Sequence, residues 1–587
     1  MAEEKKPEAA AAPKPPPGPP APPPPKNPGM VTATIDGREV VVKPGTTALE
    51  AALSMGIDVP YYCWHKRLSV AANCRMCLVE MSNAPGGKLM PSCQVPLSEG
   101  VAVKTDTPKV KDQQRATLEF LLLNHPVDCT ICDQAGECKL QDYYMQYDGQ
   151  PSRLDIPKNV KGKRVELGPT VTLDQERCIL CTRCVRFMRE VAKNPLLGVA
   201  NRGTRSVITT FPGKPLVDNY AQNVVDICPV GALTATDFRF RGRVWFMSSA
   251  RSICTGCSRG CNVSLDYLDA TAYRLRPREN QAVNQEWMCD QGRATYKPLN
   301  QGRVLQGRLG RGAEARAASR DEAVRAAGAA LAAAKGPGLA VLLSPVASLE
   351  DLLAACHVAR EGLGAAEVFA GGRADGWHDD FLKKADENPN RKGLELAAQA
   401  YGLAVRPFAD LVAAARAGRV QALWAVGAEV PDEAGAQALA QVPALVVQAV
   451  SEGTLAAAAT VLLPASPHAE FDGTFVNFEG RAQRFEAAWH PRGEARPHHL
   501  LCAAVGRAVG LEAPWKTARE VWLALSPRIT GVSIWDFKWD SLPSVGRRKG
   551  LLPLAAGTVD GRLAGQKERL APEGSEAAVR GVAPTSW

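Results

Sequence analysis

VTATIDGREVVV, residues 31 to 42, sets Asp36-Gly37 between two runs rich in β-branched residues. An Asp-Gly pair in that setting signals a two-residue β-hairpin, because the favoured turn needs positive φ at both central positions. TTALEAALSMG (46–56) then has helical texture, with Thr47 as N-cap, Glu50 completing a capping box and Gly56 as the stop. A loop carrying Cys63, Cys74 and Cys77 follows, and Cys93 comes after it.

A hairpin, a helix and a cysteine-bearing loop, in that order, predict a β-grasp ferredoxin domain over 29–107. Residues 1–28 contain 12 prolines among Ala, Lys and Glu and predict a disordered leader, since such a composition buries no core. Beyond the β-grasp segment, KDQQRATLEFLLLNH (111–125) predicts a helix ending near His125, because Pro126 disfavours the α region at the residue before it. That helix and the turns after it form a segment at 108–147, followed by further cysteine-bearing segments at 148–246 and 247–303. From 304 to 540 Ala- and Leu-rich helices alternate with short strands, LAVLLS (339–344), ALWAVG (422–427), ALVVQAV (444–450) and TVLLP (460–464). That alternation predicts a parallel, Rossmann-like α/β sheet with helices on both faces. GRLGRG (307–312) reads as a linker, and 541–587 as an extended tail. The chain is therefore multidomain, α+β followed by α/β.

With 70 Lys+Arg against 61 Asp+Glu the chain is mildly basic, but its positive residues are dispersed and lack the aromatic interleaving of a nucleic-acid groove. No run of 18 apolar residues occurs, since Glu452 and Pro464 interrupt the most apolar stretches, so no membrane span is expected. Neither a secretory h-region nor an Arg-rich amphipathic leader is apparent, which predicts a reducing compartment with few disulfides. Of the 17 cysteines, 15 lie between Cys63 and Cys289, and dense thiols inside a cell point to metal.

Those 15 fall into four groups. Cys63, Cys74, Cys77 and Cys93 follow the plant-ferredoxin scheme of a close pair with outlying ligands, favouring a 2Fe-2S cluster over a zinc site. Cys178, Cys181, Cys184 and Cys228, the last followed by Pro229, copy the bacterial-ferredoxin run that holds one 4Fe-4S cube. Cys254, Cys257, Cys261 and Cys289 favour another cube over a four-cysteine zinc site, because three of them crowd into eight residues. HPVDCTICDQAGEC (125–138) offers only Cys129, Cys132 and Cys138, and three readings stay open: a cube with His125 as fourth ligand, a zinc site of three cysteines and one histidine, or a three-cysteine cluster with an open iron. A lone His at a helix end more often satisfies a carbonyl or the helix dipole. Against that, Pro126 turns the chain at His125 back over the cysteines, and only this group is one ligand short. Cys356 and Cys502 read as buried core thiols.

These four constellations, in this order, resemble the large iron–sulfur subunits of the NADH:quinone oxidoreductases of respiratory chains (complex I; the 75 kDa type, called the G subunit in bacteria). The resemblance covers roughly 30–300. ADENPNRKG (385–393) and HAEFDGTFVNFEGRAQ (468–483) are similar to segments of molybdopterin oxidoreductases, which implies a truncated Rossmann-type domain of that superfamily. The resemblance implies a 4Fe-4S cube held by one histidine and three cysteines, His125, Cys129, Cys132 and Cys138. It also implies that the Cys254 group lies off the main electron path. One 2Fe-2S and three 4Fe-4S clusters are then expected. Molybdenum and pterin are not, because the chain after 303 is too short for a full molybdenum enzyme and lacks a metal loop. The implied role is electron transfer between a flavin- and NADH-binding partner and another iron–sulfur subunit, without an NADH, flavin or quinone site on this chain. The implied partners are other peripheral-arm subunits, with the membrane arm reached only indirectly, at the cytoplasmic face of a bacterial inner membrane. Two alternatives compete: a diaphorase-side iron–sulfur subunit of a hydrogenase or formate dehydrogenase, and a zinc-stapled assembly scaffold with no redox role.

Overall fold

A computed structural model describes residues 29–153 and 156–530, and the backbone of 534 and 535. The leader at 1–28 and the tail at 541–587 lie outside the described residues. The chain divides into two compact units, up to Arg239 and from Phe240 onward.

In the first unit, strands Val31–Ile35 and Arg38–Val42 pair antiparallel with Ile35 opposite Arg38. Asp36 and Gly37 both have positive φ, 48° and 79°, as the Asp-Gly turn requires. The helix Ala48–Ser54 carries the expected capping box between Thr47 and Glu50. Reading across, the sheet runs Arg38–Val42, Val31–Ile35, Ala102–Lys104, Leu78–Met81, Met90–Pro91, with Val31–Ile35 and Ala102–Lys104 parallel. The hairpin, helix and parallel closing strand are a β-grasp.

The helix Pro108–Leu122 starts at the Thr107 cap and ends three residues before His125, slightly short of the end expected near His125. Cys129–Ile131 form a single 3-10 turn, and Lys139–Tyr143 a short helix. Further on, Leu233–Ala235, Val171–Leu173 and Val165–Glu166 make a small antiparallel sheet, with the helix Arg183–Glu190 beginning inside the Cys178–Cys184 run.

The second unit opens with a meander, Ser248–Ile253, Asn262–Leu268 and Thr271–Pro277, whose first connection is the Cys254–Cys261 loop. An eight-stranded sheet follows in the order Arg316–Ala318, Gly307–Leu309, Val461–Pro464, Ala444–Ala449, Ala422–Val426, Leu339–Leu343, Glu367–Ala370, Ala404–Pro407. The last six are parallel, in doubly wound order. Val341 and Leu343 enter one apolar core and Ala340 and Leu342 another, as do Trp424 and Val426 against Leu423 and Ala425, so helices cover both faces. GRLGRG corrects the linker reading: Gly307–Leu309 is a strand, antiparallel to Val461–Pro464. Cys356 and Cys502 are both 0% exposed in the helices Leu349–His357 and His498–Ala508. No helix among the described residues is long and apolar enough to cross a membrane.

Candidate iron–sulfur ligand sites

The β-grasp brings Cys63, Cys74, Cys77 and Cys93 together. Cys74 and Cys93 donate to Cys63, and Cys93 donates to Cys77, so those hydrogen bonds favour thiolates at Cys63 and Cys77. Arg75, between Cys74 and Cys77, sits at φ 59°, a left-handed conformation that turns the loop sharply between the two thiols.

Cys178, Cys181, Cys184 and Cys228 line one cavity, walled by Leu173, Ile208 and Val230. Leu180 and Thr182 are again left-handed, at φ 53° and 60°, which winds the CILCTRC turn around that space. The Leu180 N–H donates to Cys178 Sγ at 3.4 Å. Burial pushes the Cys178 thiol up to about 12 and Cys181 to about 11, so these groups are neutral when nothing cationic lies among them. A cationic iron core is the kind of ligand that reverses that penalty.

In the second group, Cys132 is within electrostatic reach of Cys129 and Cys138, and burial raises Cys138 to about 12. His125 Nδ1 is buried and has no hydrogen-bond partner. Burial depresses the imidazole to about 4, so the ring is neutral near pH 7 and carries a free lone pair, as a metal ligand must. A buried ring nitrogen satisfying nothing argues against the helix-end reading of His125. His125 and Cys132 both lie within electrostatic reach of Asp128 and Arg177.

In the second unit, Cys254, Cys257, Cys261 and Cys289 are each 4–6% exposed. Cys254 N donates to the Cys261 carbonyl at 2.8 Å, pinching the loop shut. Gly292 brings the distant fourth cysteine home: a Cβ there would lie 3.0 Å from Cys254 Sγ and 3.3 Å from Cys289 Sγ. Gly256 and Gly292 donate N–H···S bonds to Cys254 and Cys289 at 3.4 and 3.3 Å. Among the described residues, no three His, Cys, Asp or Glu side chains converge on a single ion. A cluster does not require that convergence, because it spreads its ligands over several irons.

Three buried arginines escaped the sequence reading. Arg186 donates to the carbonyls of Cys63 and Ser69 and, at 3.2 Å, to that of Cys181. Arg183 donates to Trp64 O at 2.6 Å and Ile227 O at 3.1 Å. Arg177 donates to both oxygens of Asp128, at 3.1 and 2.7 Å. Burial alone would raise Asp128, but the Arg177 hydrogen bond and charge hold its carboxyl below the usual range. The Cys178 loop thus reaches the Cys63 loop through Arg183 and Arg186, and the His125 loop through Arg177. On the His125 side Cys138 Sγ lies 3.9 Å from Pro229 O, and a Cβ on Gly231 would fall 2.3 Å from Cys132 Sγ. The signal that could have revealed them is three arginines at 177, 183 and 186 interleaved with cysteines, where solvated charge has no reason to be.

The α/β sheet reverses strand order between Leu339–Leu343 and Ala422–Val426, where doubly wound folds open a ligand crevice. Here Ser344 Oγ donates to Glu429 Oε2 at 2.7 Å, the Gly372 N–H donates to Glu429 O at 2.7 Å, and a Cβ on Gly427 would lie 2.4 Å from Ser344 Cβ. Ser344, Gly372, Gly427 and Glu429 thus pack together at the switch point.

Residues 29–108 match the family described as 2Fe-2S iron-sulfur cluster binding domain, 114–153 the NADH-ubiquinone oxidoreductase-G iron-sulfur binding region, and 168–234 the NADH-quinone oxidoreductase subunit 3 ferredoxin-like domain. Residues 247–301 match the molybdopterin oxidoreductase Fe4S4 domain and 337–507 molybdopterin oxidoreductase. The G subunit of the NADH-quinone oxidoreductase of Rickettsia bellii (strain RML369-C) is 37% identical over 324 residues, 55% of this chain and 47% of that protein. The NADH-ubiquinone oxidoreductase 75 kDa subunit of Reclinomonas americana is 43% identical over 276 residues, 47% of this chain and 39% of its own length. The matched region thus spans about half the length of these relatives or less. A solved NAD+-reducing [NiFe]-hydrogenase is 29% identical over 36% of this chain and 91% of its own, with a TM-score of 0.33.

Proposed function

We propose, from the premise that the first half of this chain belongs with the G and 75 kDa subunits of NADH-quinone oxidoreductases, that it is the electron-transfer subunit of a proton-pumping NADH:quinone oxidoreductase. It passes electrons from a flavin-bearing, NADH-oxidising partner toward quinone. The observation that carries this reading is the cavity on which Cys178, Cys181, Cys184 and Cys228 converge.

The ligand sets are Cys63, Cys74, Cys77 and Cys93 for a 2Fe-2S cluster, and Cys178, Cys181, Cys184 and Cys228 for a cube. His125, Cys129, Cys132 and Cys138 hold a second cube, and Cys254, Cys257, Cys261 and Cys289 a third. Bound clusters supply one-electron redox steps over distances that peptide alone does not bridge. The chain's own residues bury the ligands, exclude water and fix their spacing. Arg186 holds the Cys63 and Cys181 backbones to one guanidinium, and Gly231 and Pro229 pack against Cys132 and Cys138. These contacts support an electron order running from the Cys63 set through the Cys178 set to the His125 set. Phe120, Val127 and Ile131, 76%, 77% and 60% exposed around the His125 loop, suit that end to an acceptor subunit. A neutral His125 in place of a thiolate leaves its site less negative and favours electron arrival there.

In this reading the α/β half is a scaffold that carries neither molybdenum nor pterin. The chain sits peripherally at the cytoplasmic face of the membrane, held by partner subunits. The test is reduction by NADH. Anaerobic chain mixed with NADH alone keeps its visible cluster absorbance, and bleaches when the flavin-bearing partner subunit is added. Bleaching by NADH alone, or none with the partner present, overturns the proposal.

A further inference from the structure

ADENPNRKG and HAEFDGTFVNFEGRAQ stood in the sequence without an assigned task. Both close on the Cys254–Cys261 loop. The Ser258 N–H donates to Asp386 O at 2.8 Å, and the Phe478 N–H to Ser258 O at 3.0 Å. Asn477 Nδ2 donates to Arg259 O at 3.4 Å, Gln483 Nε2 to Gly260 O at 2.9 Å, and Arg373 Nη2 to Thr255 O. The carbonyls from Thr255 to Gly260 are thus held almost one by one by donors from the α/β half, Cys257 excepted.

Just ahead of the first segment stands Lys383, whose side chain is 0% exposed. Its Nζ lies 3.5 Å from Gly256 O inside the cysteine loop, 3.3 Å from Lys384 O and 3.1 Å from Glu387 Oε1, and 5.6 Å from the centre of the Trp377 ring. Glu387 accepts from Gln291 Nε2 at 2.8 Å, and Trp377 Nε1 donates to Gln291 Oε1 at 2.7 Å, so the cage also grips the turn after Cys289. Burying an ammonium costs several kcal/mol unless a counter-charge and hydrogen bonds compensate. One carboxylate and two carbonyls compensate here, but a Met or Leu would fill the same space without the cost. The charge itself is what such a residue would lack.

We propose that Lys383 is a positioning and tuning residue for the fourth cysteine site, setting a fixed positive charge against its cluster and raising the cluster's reduction potential. This rests on the reading of Cys254, Cys257, Cys261 and Cys289 as cluster ligands. In the step concerned, dithionite supplies one electron, no bond forms or breaks, and the site gains one negative charge that Lys383 stabilises.

The experiment is potential-controlled EPR with iron analysis on the full chain and on Lys383→Met, Lys383→Arg and Glu387→Gln. Lys383→Met is expected to lower the reduced-to-oxidised ratio of this cluster at fixed potential at least tenfold, about 59 mV for one electron. Glu387→Gln should move the ratio the other way, and Lys383→Arg should stay within about threefold of the unsubstituted chain. An unmoved midpoint in Lys383→Met with iron retained overturns the proposal. If Lys383→Met loses the cluster, Glu387→Gln decides: a rise upholds the role of charge, and no change overturns it. Iron near 10 per unsubstituted chain, in place of about 14, overturns the cluster reading beneath the proposal and is recognised separately by that count.

Discussion

Gly231→Ala tests the packing of one ligand loop on another. A Cβ at Gly231 would sit 2.3 Å from Cys132 Sγ and 3.1 Å from Gln134 Cβ. Ordinary contact begins near 3.4 Å, so the Cys132 loop must retreat by roughly 1 Å, several times the ~0.2 Å tolerance of metal–ligand distances. Overpacking of this kind costs about 1–3 kcal/mol, which a protein of this size survives. The expected result is a folded chain that loses up to about four of its roughly 14 irons, with the EPR signal of the His125 set gone and the others intact. Gly198→Ala is the control, because nothing lies within 4 Å of a Cβ there. Iron content and spectra in Gly231→Ala matching those of the control would refute the placement of Cys132 among the ligands.

Three further outcomes are expected. His125→Cys should keep a cube and lower its midpoint, since a thiolate adds negative charge, whereas His125→Ala should change or abolish the EPR signal; an unchanged spectrum in the Ala variant removes His125 from the ligand set. Arg186→Gln strips donors from the buried carbonyls of Cys63 and Cys181, at about 1–3 kcal/mol for each group left unpaired. Chelators should then take iron faster from those two sets and at an unchanged rate from the His125 set. Glu350 is buried, accepting hydrogen bonds from the Thr474 N–H and hydroxyl, and burial pushes its carboxyl up to about 8 from 4.5. A raised folded value means the stabilisation is complete below pH 4.5 and lost as pH rises through 8, by at most about 5 kcal/mol. Urea unfolding at about pH 5 and pH 8 should show that loss in the native chain and a smaller one in Glu350→Gln, and equal losses in the two would contradict it.

What was legible in the sequence was local. Asp36-Gly37, Thr47 with Glu50, and the cysteine spacings each encode a turn, a cap or a loop within a few residues, and periodicity then marked four core strands of the α/β sheet. Among the missed strands, Glu367–Ala370 and Ala404–Pro407 are only four residues long; the first buries just Val368 and Phe369, too short a run to stand out, and the second is exposed throughout. Arg186, Gly231 and Lys383 act on residues 123, 99 and 127 positions away in the chain, namely Cys63, Cys132 and Gly256. No window of sequence contains both ends of such a contact. Gly231 is the extreme case, because its contribution is the absence of an atom. The buried cations show the same limit: a lysine or arginine reads as solvated surface until the fold shows which carbonyls surround it.

The most direct test of the account is metal analysis with potential-controlled EPR on anaerobically purified full-length chain. The prediction is a brown protein with about 14 irons, one 2Fe-2S signal and three separable 4Fe-4S signals titrating at distinct potentials. A colourless protein holding about four zinc ions would contradict it.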